Sequence, residues 1–198
     1  VQCRRDPRRA CAQMVAQVQS TKPTAPETEP IPEETAEATV PEETVAPTVP
    51  MLPEYETLLA LNDDLVGWVK IPETQINYPV MQTPMTPQFY LYRDFYKEYS
   101  SRGCIFAQEE CNIDAPPDNV TIYGHNMADG SMFACLHSYI NKNAWERNSL
   151  IFFDTLYEYH TYKIFAVFKT SANIGQGFSY HQFVNAENAQ QFDEFVST

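Results

Sequence analysis

The sequence predicts a mostly β domain with peripheral helices, folded as a barrel or a sandwich, behind an extended N-terminal segment. All 12 Phe, 12 Tyr and 2 Trp residues lie after residue 54, so the core must form from the C-terminal part of the chain. Short β-branched and aromatic runs, separated by prolines, follow one another between residues 66 and 170. Only three segments show helical periodicity, which makes strands the dominant element.

The predicted strands and helices follow from local patterns. Helical spacing of apolar residues begins at Tyr55 and ends at Asn62. A second helical face runs from Met132 to Ile140 behind a possible Ser131 cap, and a third runs from Ala186 to Val196. The strand-like runs are Val66–Ile71, Ile76–Met81, Cys104–Ala107, Val120–Tyr123, Leu150–Phe153 and Tyr162–Thr170, with a turn expected over Tyr157–Thr161.

The N-terminal 54 residues differ in composition from the rest. Residues 20–54 hold eight of the fifteen prolines, with Thr, Glu and Ala between them. Proline favours extended polyproline II, and like charges stiffen it further, so we expect a disordered stalk. Composition leaves open whether the stalk crosses a cell wall or is an unspecific linker. Residues 1–19 hold four Arg against one Asp, and this basic segment is either a membrane flank or a featureless end.

Charge and cysteine content exclude some classes of function. The net charge is −13, and residues 55–198 carry most of it without any basic cluster, which argues against a nucleic-acid partner. No run of eighteen apolar residues is present. The five cysteines include no CxxC pair, and Cys104 and Cys111 form either a bridge or two free thiols.

One histidine stands at the end of a predicted strand. His125 follows Gly124, which we interpret as leaving room for a substrate chain or a tight turn beside the imidazole. Such a histidine suits general acid or base chemistry near neutral pH, although a single histidine in this setting is also commonly structural. The remaining histidines are interpreted as solvated or satisfied side chains: His137, His160 and His181.

Other catalytic motifs are missing from the sequence. It contains no GxSxG elbow, Walker loop, GxGxxG or HExxH pattern. Asp154, Glu158 and His160 are close in sequence, but a polar hairpin turn explains them better than a metal site does. We therefore expect no metal and no cofactor.

Several segments in order resemble class B sortases. In that family a helix leads into a Gly-Trp strand and then a Tyr-Pro-Val strand, as it does in Asn62–Gln82 (NDDLVGWVKIPETQINYPVMQ). The resemblance covers roughly residues 55–198 and continues through Phe89–Phe95, Ser101–Phe106, Tyr123–Met127 and Asp129–Phe133. The last two of these segments look like the family's catalytic-histidine region.

The resemblance implies a sortase-like β-barrel with cysteine transpeptidase activity on the outer face of a Gram-positive cell membrane. A thiolate would attack the Thr carbonyl of a C-terminal sorting signal on a secreted protein. An amine of peptidoglycan or pilin would then resolve the thioacyl intermediate. His125 would be the catalytic acid and base. Leu91, Tyr123 and Phe178 would line the substrate groove under the loop Ala172–Tyr180, although core packing explains these three equally well.

The sequence departs from the family in one respect. The resemblance implies a Thr-Leu-x-Thr-Cys strand and then a strand with an arginine, and neither occurs among the 198 residues. We therefore expect residues 55–198 to be a partial catalytic domain without its last strands, inactive as given, with any membrane anchor upstream of Val1. The alternative is a non-catalytic surface barrel that binds sorting signals or wall components.

Overall fold

The computed structural model describes residues 49–115, 117–171 and 180–197. Its helices are α1 (Pro53–Leu61), α2 (Lys142–Arg147) and α3 (Ala189–Ser197). Its strands are β1 (Leu65–Lys70), β2 (Asn77–Met81), β3 (Ile105–Ala107), β4 (Ile122–Tyr123), β5 (Leu150–Thr155) and β6 (Tyr159–Lys163). Three short 3₁₀ helices cover Phe89–Tyr92, Ala134–Ile140 and Tyr180–Gln182.

The six strands form one sheet in the order β4-β3-β2-β1-β5-β6. All neighbours are antiparallel except β2 and β3, which run parallel. A parallel pair cannot be joined by a tight hairpin, so the chain between Met81 and Ile105 crosses over and carries the 3₁₀ helix Phe89–Tyr92. This crossover brings the 3₁₀ helix beside the end of β4.

Both faces of the sheet are buried. Alternate residues of a strand point to opposite faces of the sheet. Trp68 therefore belongs to the core cluster on one face, called the first cluster, and Val69 belongs to the core cluster on the other face, called the second cluster. On β3, Phe106 lies in the first cluster, and Ile105 lies in the second. Helix α1 covers the first cluster through Tyr55 and Leu58, and the second cluster packs against the 3₁₀ helix Ala134–Ile140 and α2. This arrangement confirms the predicted mostly β fold with peripheral helices.

The last predicted strand is wrong in position. We expected Tyr162–Thr170, whereas β6 covers Tyr159–Lys163 and residues 164–171 have no regular secondary structure. The predicted turn over Tyr157–Thr161 is therefore partly strand. The reason is a tighter turn: the Thr155 N–H donates to the Glu158 carbonyl at 2.9 Å, and Thr155 Oγ1 accepts from the Glu158 N–H at 3.0 Å.

The helices agree with the prediction unevenly. Helix α1 confirms the first predicted helix, and α3 begins at Ala189, three residues after the predicted start. The second predicted helix is a 3₁₀ helix that begins only at Ala134, because Met132 has a φ of 56°. Ser131 is not its cap. The predicted segment 1–19 and most of the predicted stalk over residues 20–54 lie outside the described residues.

Candidate active site

His125 lies directly beyond β4, at one edge of the sheet, and is partly buried. Its Nε2 atom is 2.7 Å from the backbone oxygen of Leu91. A carbonyl oxygen can only accept a hydrogen bond, so Nε2 carries the proton in this arrangement. The other ring nitrogen, Nδ1, then keeps the lone pair that can accept a proton.

The Leu91 carbonyl belongs to a firmly anchored 3₁₀ helix. The neighbouring Tyr90 is fully buried, and its hydroxyl donates to Asp64 Oδ2 at 2.7 Å and accepts from Asn62 Nδ2 at 2.8 Å. The Cys104 N–H donates to the Tyr90 carbonyl at 3.0 Å. Burial raises the pKa of Tyr90 well above its ordinary value, and the Asp64 carboxylate adds to the rise, so the hydroxyl remains a donor. The acceptor of His125 is therefore held in place by the core.

Gly124 has a different role from the one predicted. A Cβ atom at this position would lie 2.4 Å from Ile105 Cδ1 and 2.7 Å from Phe133 Cδ2. The space beside the glycine is thus filled by core side chains, not left open for substrate, and its φ is not positive. Gly124 allows the histidine segment to pack directly on the second core cluster.

Tyr92 forms a wall of the site. Its ring centroid is 5.5 Å from that of His125, with the rings tilted by 46°, and the side chain is 51% exposed. An aromatic ring in this position shields one side of the imidazole while its outer part stays in contact with solvent. No pattern in the sequence points to this residue.

The chain that follows His125 turns back on itself. Asn126 and Met132 form an antiparallel bridge, and the Phe133 N–H donates to the His125 carbonyl at 2.9 Å. Within this turn, Asp129 accepts from Arg102, which precedes β3 in another loop, at 2.6 Å. The hydrogen bonds from Ser131 and Arg102 lower the pKa of Asp129, so this carboxylate stays ionised down to acidic pH.

The predicted groove residues are placed unequally. Leu91 contacts His125 through its backbone, and its side chain packs on the first core cluster together with Tyr123. The Tyr123 ring lies 5.3 Å from that of Phe106, and partial burial raises the pKa of Tyr123 to about 12. Phe178 and most of the loop Ala172–Tyr180 lie outside the described residues. The assignment of these three residues to a groove stays a prediction.

The described cysteines form no disulfide with one another: Cys104, Cys111 and Cys135. Cys104 is buried in the first core cluster and Cys111 in the second. Of the two alternatives for this pair, the structure therefore has two separate thiols and no disulfide between them. Burial raises the pKa of Cys111 and disfavours its thiolate. Both of these thiols are buried, whereas a nucleophilic thiolate is accessible to its substrate.

The other histidines occupy places unlike that of His125. His137 is in the 3₁₀ helix, 2.9 Å from Asn126 Nδ2. His160 is on β6 and not in a turn, and its Nε2 is 3.6 Å from a Glu158 oxygen. In the described parts of the chain, no three His, Cys, Asp or Glu side chains are grouped so that they would hold a metal ion.

A sequence model of the Sortase domain family matches residues 69–190, which is more than half of the chain. The chain belongs to the sortase family. The matched region contains the end of β1, all of β2 to β6, Leu91 and His125, so the site described above lies inside the sortase domain.

Two curated relatives of this sortase domain are sortase B proteins. Sortase B of Staphylococcus aureus is 33% identical over 140 residues, covering 71% of this chain and 56% of the relative. Sortase B of Listeria monocytogenes is 34% identical over 120 residues, covering 61% of this chain and 48% of the relative. The chain thus spans about half the length of these curated relatives.

Solved sortase B structures share the fold. The Staphylococcus aureus sortase B–substrate complex superposes with a TM-score of 0.67 at 30% identity, covering 74% of this chain and 65% of that one. Sortase B from B. anthracis in complex with AAEK1 gives a TM-score of 0.70 at 24% identity, covering 96% of this chain and 76% of that one. Among the residues that the structure describes, no helix has the length and apolar character needed to cross a membrane.

Proposed function

We propose that this protein is a cell-surface cysteine transpeptidase of the sortase B type, with His125 as its proton carrier. The observation that supports the role of His125 is its hydrogen bond through Nε2 to the Leu91 carbonyl. This bond defines the tautomer and turns Nδ1 into the nitrogen available for proton exchange. The proposal places the enzyme on the outer face of a Gram-positive cell membrane, where sortases act.

In the first half of the proposed reaction, a cysteine thiolate attacks the Thr carbonyl carbon of a C-terminal sorting signal. The C–N bond breaks, a thioacyl bond forms, and the leaving amine takes a proton from Nδ1 of the His125 imidazolium. In the second half, an amine of peptidoglycan or pilin attacks the thioacyl carbon. It returns a proton to Nδ1 as the C–S bond breaks, while Nε2–H stays on the Leu91 carbonyl in both halves.

The substrate contacts are part of the proposal. The side chains of Leu91 and Tyr123 pack in the same core cluster near the histidine segment, and we assign them, with Phe178, to the groove that holds the sorting signal. The Staphylococcus aureus sortase B that superposes on this chain was solved as a substrate complex, which supports a substrate-binding surface on this fold. No cofactor takes part in the proposed reaction.

The test replaces His125 in the full-length protein that includes the expected cysteine strand. We expect His125→Gln to lower kcat for a sorting peptide by about 10²–10⁴-fold, because positioned acid–base groups contribute that much. The matched control is His160→Gln, on β6, which should leave kcat unchanged. Comparable kcat values for the two variants would refute the role of His125.

A second candidate function is a non-catalytic barrel that binds sorting signals or wall components. Within these 198 residues it is favoured by the burial of Cys104 and Cys111, because a buried thiol is poorly placed to attack a substrate. We expect the 198-residue chain to cleave neither Leu-Pro-x-Thr-Gly nor Asn-Pro-x-Thr-Asn peptides, measured by mass spectrometry. Turnover that Cys104→Ala or Cys135→Ala abolishes would contradict this expectation. A full-length protein that binds the peptides tightly without cleaving them would favour the binding barrel over the enzyme.

A further inference from the structure

We propose that Arg102 is a positioning residue which, with Asp129 and Ser131, forms a latch that holds His125 against the Leu91 carbonyl. The inference rests on the proposed function of His125 and extends it to a residue outside the reacting groups. The hydrogen bonds described for the Arg102 side chain go to Asp129 and Ser131 and not to the imidazole. Arg102 joins the two loops whose relative position decides whether the hydrogen bond between Nε2 and Leu91 exists.

The latch is a closed ring of three side chains. Arg102 Nη2 donates to Asp129 Oδ2 at 2.6 Å, and Arg102 Nη1 donates to Ser131 Oγ at 2.6 Å. Ser131 Oγ donates in turn to Asp129 Oδ1 at 2.6 Å, and the Ser131 N–H donates to the same oxygen at 3.1 Å. Both carboxylate oxygens and both terminal guanidinium nitrogens are therefore engaged.

The Arg102 side of the latch lies next to the Leu91 carbonyl, which accepts the hydrogen bond from His125. Arg102 is followed by Gly103, which has a φ of 59° and lies against the backbone of the 3₁₀ helix Phe89–Tyr92. A Cβ on Gly103 would be 2.4 Å from both the Leu91 and the Tyr90 carbonyl oxygens. The backbone next to Arg102 therefore lies close to the carbonyl that accepts from His125, with no room for a side chain between them.

The Asp129 and Ser131 side of the latch belongs to the turn that directly follows His125. Asp129 and Ser131 lie in the turn that the Asn126–Met132 bridge closes, and the Phe133 N–H returns to the His125 carbonyl at 2.9 Å. Leu91 and His125 are 34 residues apart, and no strand pairing is described between their loops. Arg102 spans this gap with two charge-assisted hydrogen bonds.

The exposure of the latch predicts what its loss would change. The side chains of Arg102 and Asp129 are 25% and 37% exposed, and partly exposed ion pairs contribute little to the stability of a fold. The reaction rate is far more sensitive to such a loss, because a small displacement of a reacting group lowers the rate strongly. The latch therefore affects the site more than the stability of the domain.

Arginine suits this place better than lysine. The planar guanidinium reaches a carboxylate and a hydroxyl with two separate nitrogens, whereas an ammonium is a single point donor on a flexible stem. A lysine at position 102 would keep the charge attraction to Asp129 but lose the second, directional hydrogen bond to Ser131. Arg102→Lys should therefore restore only part of what Arg102→Ala removes.

The experiment uses NMR on the 198-residue chain at a concentration at which sedimentation shows a monomer, and it does not depend on catalysis. We compare Arg102→Ala and Arg102→Lys with the matched control Arg147→Ala, an exposed arginine at the end of α2. We expect Arg102→Ala to speed amide exchange at Phe133 by about tenfold and to convert the His125 ring from Nε2–H to mixed tautomers. Arg102→Lys should be intermediate, and all three variants should melt near the parent temperature.

An unchanged Phe133 exchange rate and an unchanged His125 tautomer in Arg102→Ala would overturn the latch. So would a loss of the whole fold in Arg102→Ala, because the latch would then be structural. In the full-length enzyme we expect Arg102→Ala to lower kcat on the order of tenfold to a hundredfold with little change in KM. If His125→Gln left kcat intact, the proposed function would fail while the NMR result for the latch still stood.

Discussion

At the scale of single residues, the position of the Leu91 carbonyl that accepts from His125 depends on Gly103 having no side chain. The backbone there approaches the 3₁₀ helix so closely that any Cβ would overlap the Leu91 and Tyr90 carbonyl oxygens. Backbone atoms cannot rotate away as a side chain can, so a substitution must displace the helix. The glycine is therefore required for close approach as well as for its positive φ of 59°.

We predict that Gly103→Ala destabilises the protein more than Gly130→Ala does. Both glycines have positive φ, but a Cβ on Gly130 would meet only Gln75 Nε2, at 3.8 Å. Gly130→Ala should therefore carry only the strain of its backbone region, about 1–2 kcal/mol, whereas Gly103→Ala adds a further ~1–3 kcal/mol for overpacking. Urea unfolding of both variants measures the difference. Equal losses would show that the close contact at Gly103 relaxes freely.

At the scale of elements, helix α1 is docked by buried polar contacts as well as by apolar packing. The Tyr55 hydroxyl donates to Asp154 Oδ2 at 2.9 Å, and the Tyr159 hydroxyl donates to Glu54 Oε1 at 2.5 Å. Both acids are almost fully buried, and Glu54 Oε2 has no hydrogen-bond partner among the described residues. Buried carboxylates require such donors, so these tyrosines connect α1 to β5 and β6.

We predict that Tyr55→Phe lowers the free energy of unfolding at pH 7 by about 1–2 kcal/mol, because Asp154 loses a buried donor. Tyr55→Phe should also make the free energy of unfolding fall less steeply as the pH rises above about 10. Burial, with the nearby Asp154, raises the pKa of Tyr55 in the fold, whereas an unfolded tyrosine titrates near pH ~10. The stability that this group contributes is fully present below pH ~10 and is lost as the pH rises above it.

Urea titrations between pH 7 and pH 11 test both parts of the Tyr55 prediction. The matched control is Tyr99→Phe, since Tyr99 is 78% exposed. Tyr99→Phe should keep the parent stability at pH 7 and the parent slope at high pH. A Tyr55→Phe profile parallel to that of the parent above pH 10 would mean that Tyr55 does not contribute to alkaline unfolding.

At the scale of the whole molecule, the described sheet is open, with β4 and β6 at its edges. Strand β6 exposes Tyr159 and Tyr162, and the segment after it exposes Phe165 and Phe168. Phe168 also helps to line an open apolar pocket of about 350 Å³ between this segment and the 3₁₀ helix Ala134–Ile140. An unpaired edge beside apolar surface favours intermolecular strand pairing.

We predict that the 198-residue chain is marginally stable and self-associates through β6. Its thermal transition should be broad and low, and sedimentation should show association that rises with concentration. Tyr162→Lys places a charge on the exposed edge and should reduce association, whereas Tyr99→Lys, away from this edge, should not. A sharp two-state melt at high temperature, independent of concentration, would contradict this prediction.

Much of the fold was predictable, because strand alternation and turn residues are local signals. The position of β6 was not, since the Thr155–Glu158 hydrogen bonds shortened the turn and moved the strand three residues towards the N-terminus. Ser131 shows the same limit. It looks like a helix cap in sequence, but it bonds to Asp129 and accepts from Arg102, a residue 29 positions away.

The sequence by itself determined the β-rich class of the domain, the position of His125 after a strand and, through ordered motifs, the resemblance to sortases. Only the tertiary structure decided which groups surround that histidine: the Leu91 carbonyl, the Tyr92 ring and, beyond them, Arg102. The physical reason is that the crossover between the parallel strands β2 and β3 brings these groups to the end of β4. Local pattern records where a strand ends, but not which distant loop lies against it.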